Sequence, residues 1–505
     1  VGQCTQCLVR VNGVPNVRAC QFVPAPGDRI ETENAWPSPR WDLLGLLDPL
    51  FYRGIDTLHG FRRPAWATPL FHWVVRRLAG YGRLPAPAPS PAFPPSPPAL
   101  ETDALVIGAG ASGREAARRL AGAGIATLLV DRGEPGPPLD GVTSLARASV
   151  VFLPPPTGAP TPTFSAVVAR EGEGAGLLRA RRVVVATGGY DGPLLFAGSD
   201  RPGVMSAEGA LSIAPSEGPP PFRRAVVFGG GPRVVPILER FGPQVEAVVA
   251  PGAIRGEVAE RASALDVPMY PRTLLLSARG RSRIRTVRLR TRGGAPEFAL
   301  AADAVVLAHR RLPNPQLFYQ AGARMRWHGA GGAYYPEIGS SCDTTVPGLY
   351  AVGEAAGFSD EASAGSSGAA AADAILGRPW GEGALPPRIP VDGPGELEGY
   401  YRELLHGPRS REKWIVCPCE DVLLTEIEDA SRRGFRGIEV VKRLTGVGTG
   451  LCQGRYCLPD ALLLLSEFEG RPPAEVGYIT QRPPVFPTSL EALAALPATT
   501  EGVEP

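Results

Sequence analysis

With 505 residues, 62 glycines, 56 prolines and a formal net charge of +2, the chain has room for roughly two to four domains. Its 52 basic residues are dispersed among 50 acidic ones, so no stripe tracks a phosphate backbone and nucleic acid is not an expected partner. No run of 18 apolar residues occurs, which argues against a transmembrane helix. Val1 opens no signal-peptide pattern, so a bacterial or archaeal cytoplasm is expected, with any membrane association peripheral and through partners.

The eight cysteines fall into two groups and a singleton: Cys4, Cys7 and Cys20 at the front, Cys417, Cys419, Cys452 and Cys457 at the back, and Cys342 alone. Disulfides are unexpected in a long chain without an export signal, so metal or cluster ligation is the favoured reading. "CTQCLVRVNG" runs a C-x2-C pair into a strand and turn. The plant-type ferredoxin spacing C-x4-C-x2-C would put its first cysteine five positions before Cys4, ahead of Val1. Residues 1–35 are therefore expected to form a partial ferredoxin-like domain, with Cys4, Cys7 and Cys20 holding a second [2Fe-2S] cluster if the missing cysteine exists. Residues 36–84 carry more tryptophan and leucine than a linker needs. Short helices are expected at Trp41–Phe51 and Pro69–Leu78, in a segment that docks on the main body or a partner; His59 and His72 are expected to be packing or surface residues. Residues 85–99 form a stiff, proline-rich connector.

"TDALVIGAGASGREAARRLAGAGIATLLVDRG" carries the main fold signal. It predicts a buried strand over Thr102–Ile107, a turn with Gly108, Gly110 and Gly113 in G-x-G-x-x-G register, a helix over Ser112–Ala121, a strand over Ile125–Val130, and Asp131 at its end. The glycines allow a tight turn and a close backbone approach to pyrophosphate, the helix N-terminus offers free N–H groups, and the acid can accept from a ribose hydroxyl. Val183–Val185 is expected to be a strand feeding the turn at Gly188 and Gly189.

A second parallel unit opens near Arg224 with Gly229, Gly230 and Gly231. Val234 takes its third glycine position, Pro232 removes one N–H, and Ala250 and Pro251 stand where an acid would end the next strand. Its NAD site is expected to be degenerate. Ala304–Leu307 is another predicted buried strand. Leu349–Val352 closes the first unit as a strand, with Gly353 at a close approach to cofactor and Glu354 placed to hold a sugar or ribityl hydroxyl, before a small-residue helix over Ala364–Leu376. The expected order is a first dinucleotide-binding domain (100–220 and 325–390) interrupted by a second, degenerate one (221–324), then a cysteine-rich domain (410–475) and a C-terminal extension (476–505).

At the back, Cys417 and Cys419 precede "EDVLLTEIEDA", expected to be a helix with Val422, Leu423 and Ile427 on one side. Cys452 and Cys457 close a loop rich in glycine, Gly446, Gly448, Gly450 and Gly454. Such glycines let backbone N–H groups turn toward sulfur. Four thiolates in this spacing can hold two irons, and tetrahedral zinc is chemically open to them as well; the spacing leaves both open.

On these residues the chain resembles the alpha, or nucleotide-binding, subunits of multimeric flavin-dependent amine dehydrogenases and oxidases: L-proline and hydroxyproline dehydrogenase, opine oxidase, hydrogen cyanide synthase and heterotetrameric sarcosine oxidase. "CLVRVNGVPNVRAC" and "NAWPSPRWDLLGLLD" resemble the sarcosine-oxidase front, and "ALVIGAGASGREAA" with "GLYAVGEAAG" its body. "CPCEDV", "TGVGTGLCQGRYC" and "RPPVFP" resemble the cysteine-rich [2Fe-2S] domain of the proline dehydrogenase and opine oxidase branch. The resemblance implies an α/β fold with a glutathione-reductase-like body of two dinucleotide-binding domains, a partial N-terminal ferredoxin-like domain and a small C-terminal helical [2Fe-2S] domain. It implies FAD, or alternatively NAD or ATP, at the first site, and a partner in the form of an FAD-containing catalytic beta subunit. It further implies FMN between the two, further small subunits and a downstream electron acceptor. The stretch between Asp131 and Leu145 is shorter than in that family, which should weaken any clamp on an isoalloxazine ring. No general base stands out, and no catalytic residue is assigned: His309 is expected to pack or face solvent, and Cys342 to be structural. The competing readings are a pyridine nucleotide:ferredoxin-type oxidoreductase and a vestigial nucleotide-bound scaffold.

Overall fold

The computed structural model describes residues 7–20, 22–33, 37–38, 41–43, 65–78, 99–158, 162–170, 173–213, 219–281, 283–293, 296–379, 396–407 and 413–496. The chain forms two units that alternate along the sequence.

One unit comprises Pro89–Tyr190, Arg311–Gly395 and Tyr478–Pro505. Its seven-stranded sheet is built around Leu100–Ile107, which pairs in parallel with Thr127–Val130 and with the end of the long strand Gly174–Val185. Leu349–Ala351 joins Val183–Val185 in parallel, and Val142–Leu145 extends the other edge. Ala104–Ile107 is buried throughout, the continuous apolar run expected of a parallel strand covered on both faces. The helices Ala111–Gly122 and Glu361–Ile375 pack closely because small residues face each other: a Cβ on Gly368 would stand 2.1 Å from the Ser112 carbonyl oxygen. The tail belongs to this core. Val485 is fully buried and donates its N–H to the Val151 carbonyl at 2.9 Å, and Tyr478 stacks on Tyr319 with ring centroids 4.5 Å apart.

The other unit comprises Val1–Ala88, Asp191–Arg310 and Glu396–Gly477. Its main sheet runs Val204–Ser206, Ala304–Leu307, Ala225–Phe228, Val245–Val249, Met269–Tyr270, all parallel, beside an antiparallel meander of Thr273–Arg279, Thr286–Thr291 and Glu297–Ala301. Val204–Ser206 thus belongs to the second sheet, although the sequence boundary at 221 left it with the first domain. Its pairing with Ala304–Leu307 decides this. A tyrosine-bearing helix, Glu396–His406, leads to the cysteine-rich region, where Leu424–Arg432, Ile438–Thr445 and Leu458–Glu469 are helical.

Two local expectations change. Trp41–Asp42 is a short strand paired with Pro37–Ser38 rather than the start of a helix: the Ser38 hydroxyl accepts the Trp41 N–H at 3.3 Å and turns the chain back. Residues 44–64, the remainder of that expected helix and His59 among them, lie outside the described residues. Val422–Leu423 is a strand, and the helix begins at Leu424. The Glu426 carboxylate accepts the Leu423 N–H at 2.8 Å and fixes that start. The other expected helix of residues 36–84 forms over Thr68–Leu78.

Candidate nucleotide and iron–sulfur sites

The three glycines of the first turn have different tasks. Gly108 has φ +109°, and a Cβ there would sit 2.1 Å from the Ala186 carbonyl oxygen; one on Gly113 would sit 1.9 Å from the Gly108 carbonyl oxygen. Both positions require glycine for the fold itself. A Cβ on Gly110 meets nothing within 4 Å, so this position alone faces free space, at the N-cap of the twelve-residue helix Ala111–Gly122. That is where backbone N–H groups and the helix dipole would receive a pyrophosphate. Asp131 braces the same turn: one carboxylate oxygen accepts the Ala109 N–H and the other the Gly133 N–H, both at 2.7 Å. Each oxygen keeps a second lone pair for a ribose hydroxyl. Arg114, in the first turn of the helix, donates to the Pro135 and Pro137 carbonyls at 2.5 and 2.9 Å and so secures the short loop after Asp131. Arg132 lies over the Phe486 ring, 4.6 Å from its centre.

The far end of this crevice is tightly tied. Gly353 has φ +63°, and a Cβ there would press on the Ser112 hydroxyl at 2.4 Å. The Glu354 carboxylate is held by Arg311 through Nε at 3.0 Å and Nη2 at 2.5 Å, and it accepts the Gly189 N–H at 3.0 Å beside the turn at Gly188. Glu354 is thus already engaged by protein donors, and any sugar hydroxyl there would have to share them.

The second turn differs at each equivalent point. A Cβ on Gly230 would meet the Ala253 carbonyl oxygen at 2.7 Å and the Ala250 side chain at 3.2 Å. Pro232 opens a 3-10 turn rather than an α-helix, and the helix that follows is only Val235–Phe241. Val234 is fully buried. His309 packs beside the Phe228 ring; burial first, and the Arg310 charge second, push its pKa well below the usual imidazole value, so it packs as a neutral ring.

In the cysteine-rich domain Cys417, Cys419, Cys452 and Cys457 are all buried, none more than 9% exposed. The short strand Ile415–Cys417 and the turn after it carry the first two; the glycine loop brings back the others, with Cys457 at the N-cap of Leu458–Glu469. The Cys417 thiol neighbours those of Cys419 and Cys457, and the Cys452 thiol that of Cys419. These thiol contacts, then burial, push Cys417 and Cys452 far above the ordinary thiol range, while the backbone N–H groups of Gly448 and Tyr456 act in the opposite direction. Four sulfurs so crowded become thiolates only around a compensating cation. The donor set fits one. A Cβ on Gly450 would stand 2.3 Å from Cys419 Cβ and 3.3 Å from its sulfur, so the loop closes over the sulfurs only as glycine. The contacts link all four thiols, Cys457 to Cys417, Cys417 to Cys419 and Cys419 to Cys452.

At the front, the Asn12–Gly13 turn, with φ of 50° and 85°, closes a hairpin of Leu8–Val11 and Val14–Arg18. The Ala19 N–H donates to the Cys7 carbonyl at 2.9 Å, which brings Cys7 and Cys20 to the same end of the hairpin. Cys4 lies outside the described residues.

This architecture defines the class: an α/β body of two dinucleotide-binding domains, preceded in the chain by a ferredoxin-like segment and followed by a cysteine-rich one. Residues 411–496 match the family of the sarcosine oxidase A3 domain, and residues 1–35 match a 2Fe-2S iron-sulfur cluster binding domain. The chain is a homologue of the alpha subunit of sarcosine oxidase and of the corresponding subunit of opine oxidase. It is 29% identical to the alpha subunit of sarcosine oxidase from Rhizobium meliloti (strain 1021) over 95% of this chain and 51% of the relative. It is 26% identical to the A subunit of opine oxidase from Agrobacterium tumefaciens (strain Ach5) over 65% of this chain and 72% of the relative. The chain thus spans about half the length of that sarcosine oxidase relative. The L-proline dehydrogenase of P. horikoshii shares the fold, with a TM-score of 0.64 at 20% identity over 96% of this chain and 87% of the other.

Sequence reasoning missed the arginines. Arg311, which holds Glu354, and Arg310, which is buried against Asp460, both stand in "HRRLPN", where only His309 drew attention. Arg455 lies inside the "CQGRYC" loop, 3% exposed, donating to the Cys452 carbonyl at 3.2 Å. A charged residue between two candidate ligands was the signal available.

Proposed function

We propose that this chain is the nucleotide-binding, electron-transfer subunit of a hetero-oligomeric flavin-dependent amine or amino-acid dehydrogenase or oxidase, of the proline, hydroxyproline, opine, glycine or sarcosine class. The amine is oxidised in an FAD-containing partner subunit; this chain contributes no catalytic residue. The four buried cysteines carry the reading, supported by the kinship with oxidase subunits. Cys417, Cys419, Cys452 and Cys457 would hold a [2Fe-2S] cluster, which supplies one-electron transfer when bound. The chain's own part is to bury the sulfurs, to aim the Gly448 and Tyr456 N–H groups at them, and to tie the loop through Arg455 to the Cys452 carbonyl. Cys4, Cys7 and Cys20 would belong to a second cluster.

In the first crevice, the N–H groups after Gly110 receive a pyrophosphate and Asp131 accepts from a ribose. Gly108, Gly113, Gly188, Gly353 and Glu354 shape and fix the pocket. FAD, NAD and ATP all present that half, and the short loop after Asp131 offers little to enclose a flavin ring. A pyridine nucleotide:ferredoxin-type role is disfavoured by the packed second turn.

The full chain, purified anaerobically with its partner, should lose about two irons and two labile sulfides per chain when Cys417 and Cys457 are both replaced by alanine, the content of one such cluster. A single zinc lost instead, with no change in labile sulfide, would overturn the electron-transfer assignment of this domain.

A further inference from the structure

The second sheet reverses its strand order between Ala225–Phe228 and Ala304–Leu307. In doubly wound sheets the ligand crevice opens at the carboxyl ends of the strands flanking that point. Here the two ends are Phe228 and, just past Leu307, His309 and Arg310. Both are met by the C-terminal part of the same unit. The Tyr400 ring packs edge-on against Phe228 with centroids 5.9 Å apart, and its hydroxyl donates to the Leu275 carbonyl at 2.9 Å. Tyr401 packs on Tyr400 at 5.3 Å, and its hydroxyl accepts the Leu195 N–H at 3.1 Å. Arg310 Nη2 lies 2.5 Å from Asp460 Oδ1, with side-chain exposures of only 7% and 5%. Asp460 stands in the first turn of the helix that starts behind Cys457. Around this centre Arg292 Nε holds Glu403 at 2.6 Å, and Arg402 and His406 both reach Glu467, at 3.3 and 3.1 Å, which binds the tyrosine helix to the helix of Asp460.

We infer that the second crevice is a seat for the cysteine-rich domain. Tyr400 and Tyr401 take the place of a nicotinamide nucleotide, and Arg310 takes Asp460 in place of a ligand's charge. This accounts for the second turn as well as the crevice: a domain that no longer receives a dinucleotide needs neither a glycine at 234 nor an N–H at 232. The module bound there is the one that bears the four cysteines, so a nucleotide-binding fold is used to hold an electron carrier. A buried ion pair adds little net stability over an apolar pair but penalises loss of either partner heavily, which suits a latch that must be specific.

The inference rests on packing and holds whether or not the cysteines carry iron, so it stands or falls separately from the function proposed above. In the full chain, Arg310→Met and Asp460→Leu should each leave one buried charge without its partner. Hydrogen exchange in Glu396–His406 and Leu458–Glu469 should then quicken by about tenfold or more. The double variant, with no buried charge, should return exchange to within about threefold of the parent. With the first crevice blocked by Gly110→Val, NADH at millimolar concentration should not bind. The seat would be refuted by unchanged exchange in both single variants, by a double variant no better than the worse single one, or by saturable NADH binding to Gly110→Val. If a single variant unfolds entirely, recovery in the double variant still decides for the latch, and lack of recovery against it.

Discussion

The two glycine turns of this chain sit on sheets of the same kind and have opposite surroundings. In the first, Gly110 opens onto free space at the head of a twelve-residue helix, and Asp131 braces the turn from the next strand. In the second, a Cβ on Gly230 would run into Ala253, Pro232 and Val234 stand at the equivalent positions, and Tyr400 and His309 pack against Phe228 at the strand end. Parallel topology persists in both. On the proposed reading, ligand competence depends on a few residues at the strand ends and is lost in the second turn without loss of the sheet.

The comparison is easiest to break at the glycines. Gly108→Ala and Gly113→Ala each force a Cβ into a carbonyl oxygen about 2 Å away, and should destabilise the first domain by about 3 kcal/mol or more in denaturant unfolding. Gly110→Val should keep the domain folded yet weaken nucleotide binding by about a hundredfold, roughly 2.7 kcal/mol by calorimetry. Equal damage from all three would mean that Gly110 does not face a ligand.

The second crevice can be probed by pH. Burial raises the Asp460 carboxyl to about 6 from 3.8, with Arg310 and Tyr401 opposing the rise. An acid whose pKa is higher in the folded state binds its proton more tightly there. Its contribution therefore favours the fold at low pH, declines as pH rises from about 4 to about 6, and is constant above. The stability difference between parent and Asp460→Asn should shift toward the parent by about 2–3 kcal/mol between pH 7 and pH 4 in urea unfolding. A constant difference would mean that burial does not raise the Asp460 carboxyl. Arg311→Ala should have the smallest effect, about 1–2 kcal/mol of stability, by freeing the partly buried Glu354 carboxylate.

Much of this was legible in the sequence. The first strand, turn, helix and acid have a pattern that depends on neighbours in sequence, and Thr102–Ile107 and Ala304–Leu307 formed where apolar runs placed them. The loss of the third glycine at Val234 was equally plain. What fills the second crevice was not, because Phe228, Arg310, Tyr400 and Asp460 are separated by long stretches of chain and only packing joins them. The helix boundary at Leu424 depended on one carboxylate, Glu426, reaching back to a backbone N–H, a choice that hydrophobic periodicity does not encode. Likewise Glu354 read as a free sugar acceptor because Arg311, forty-three positions earlier, gave no local sign of holding it.

The central claim is that this chain keeps one working nucleotide crevice and has given the other to its cysteine-rich domain. The most direct test is to release and quantify the nucleotide bound to the full chain, after saturation with FAD, NAD and ATP in turn, by mass spectrometry, for the parent and for Gly110→Val. The account predicts a single nucleotide per chain in the parent and none retained by Gly110→Val. Two nucleotides per chain, or one that survives Gly110→Val undiminished, would contradict it.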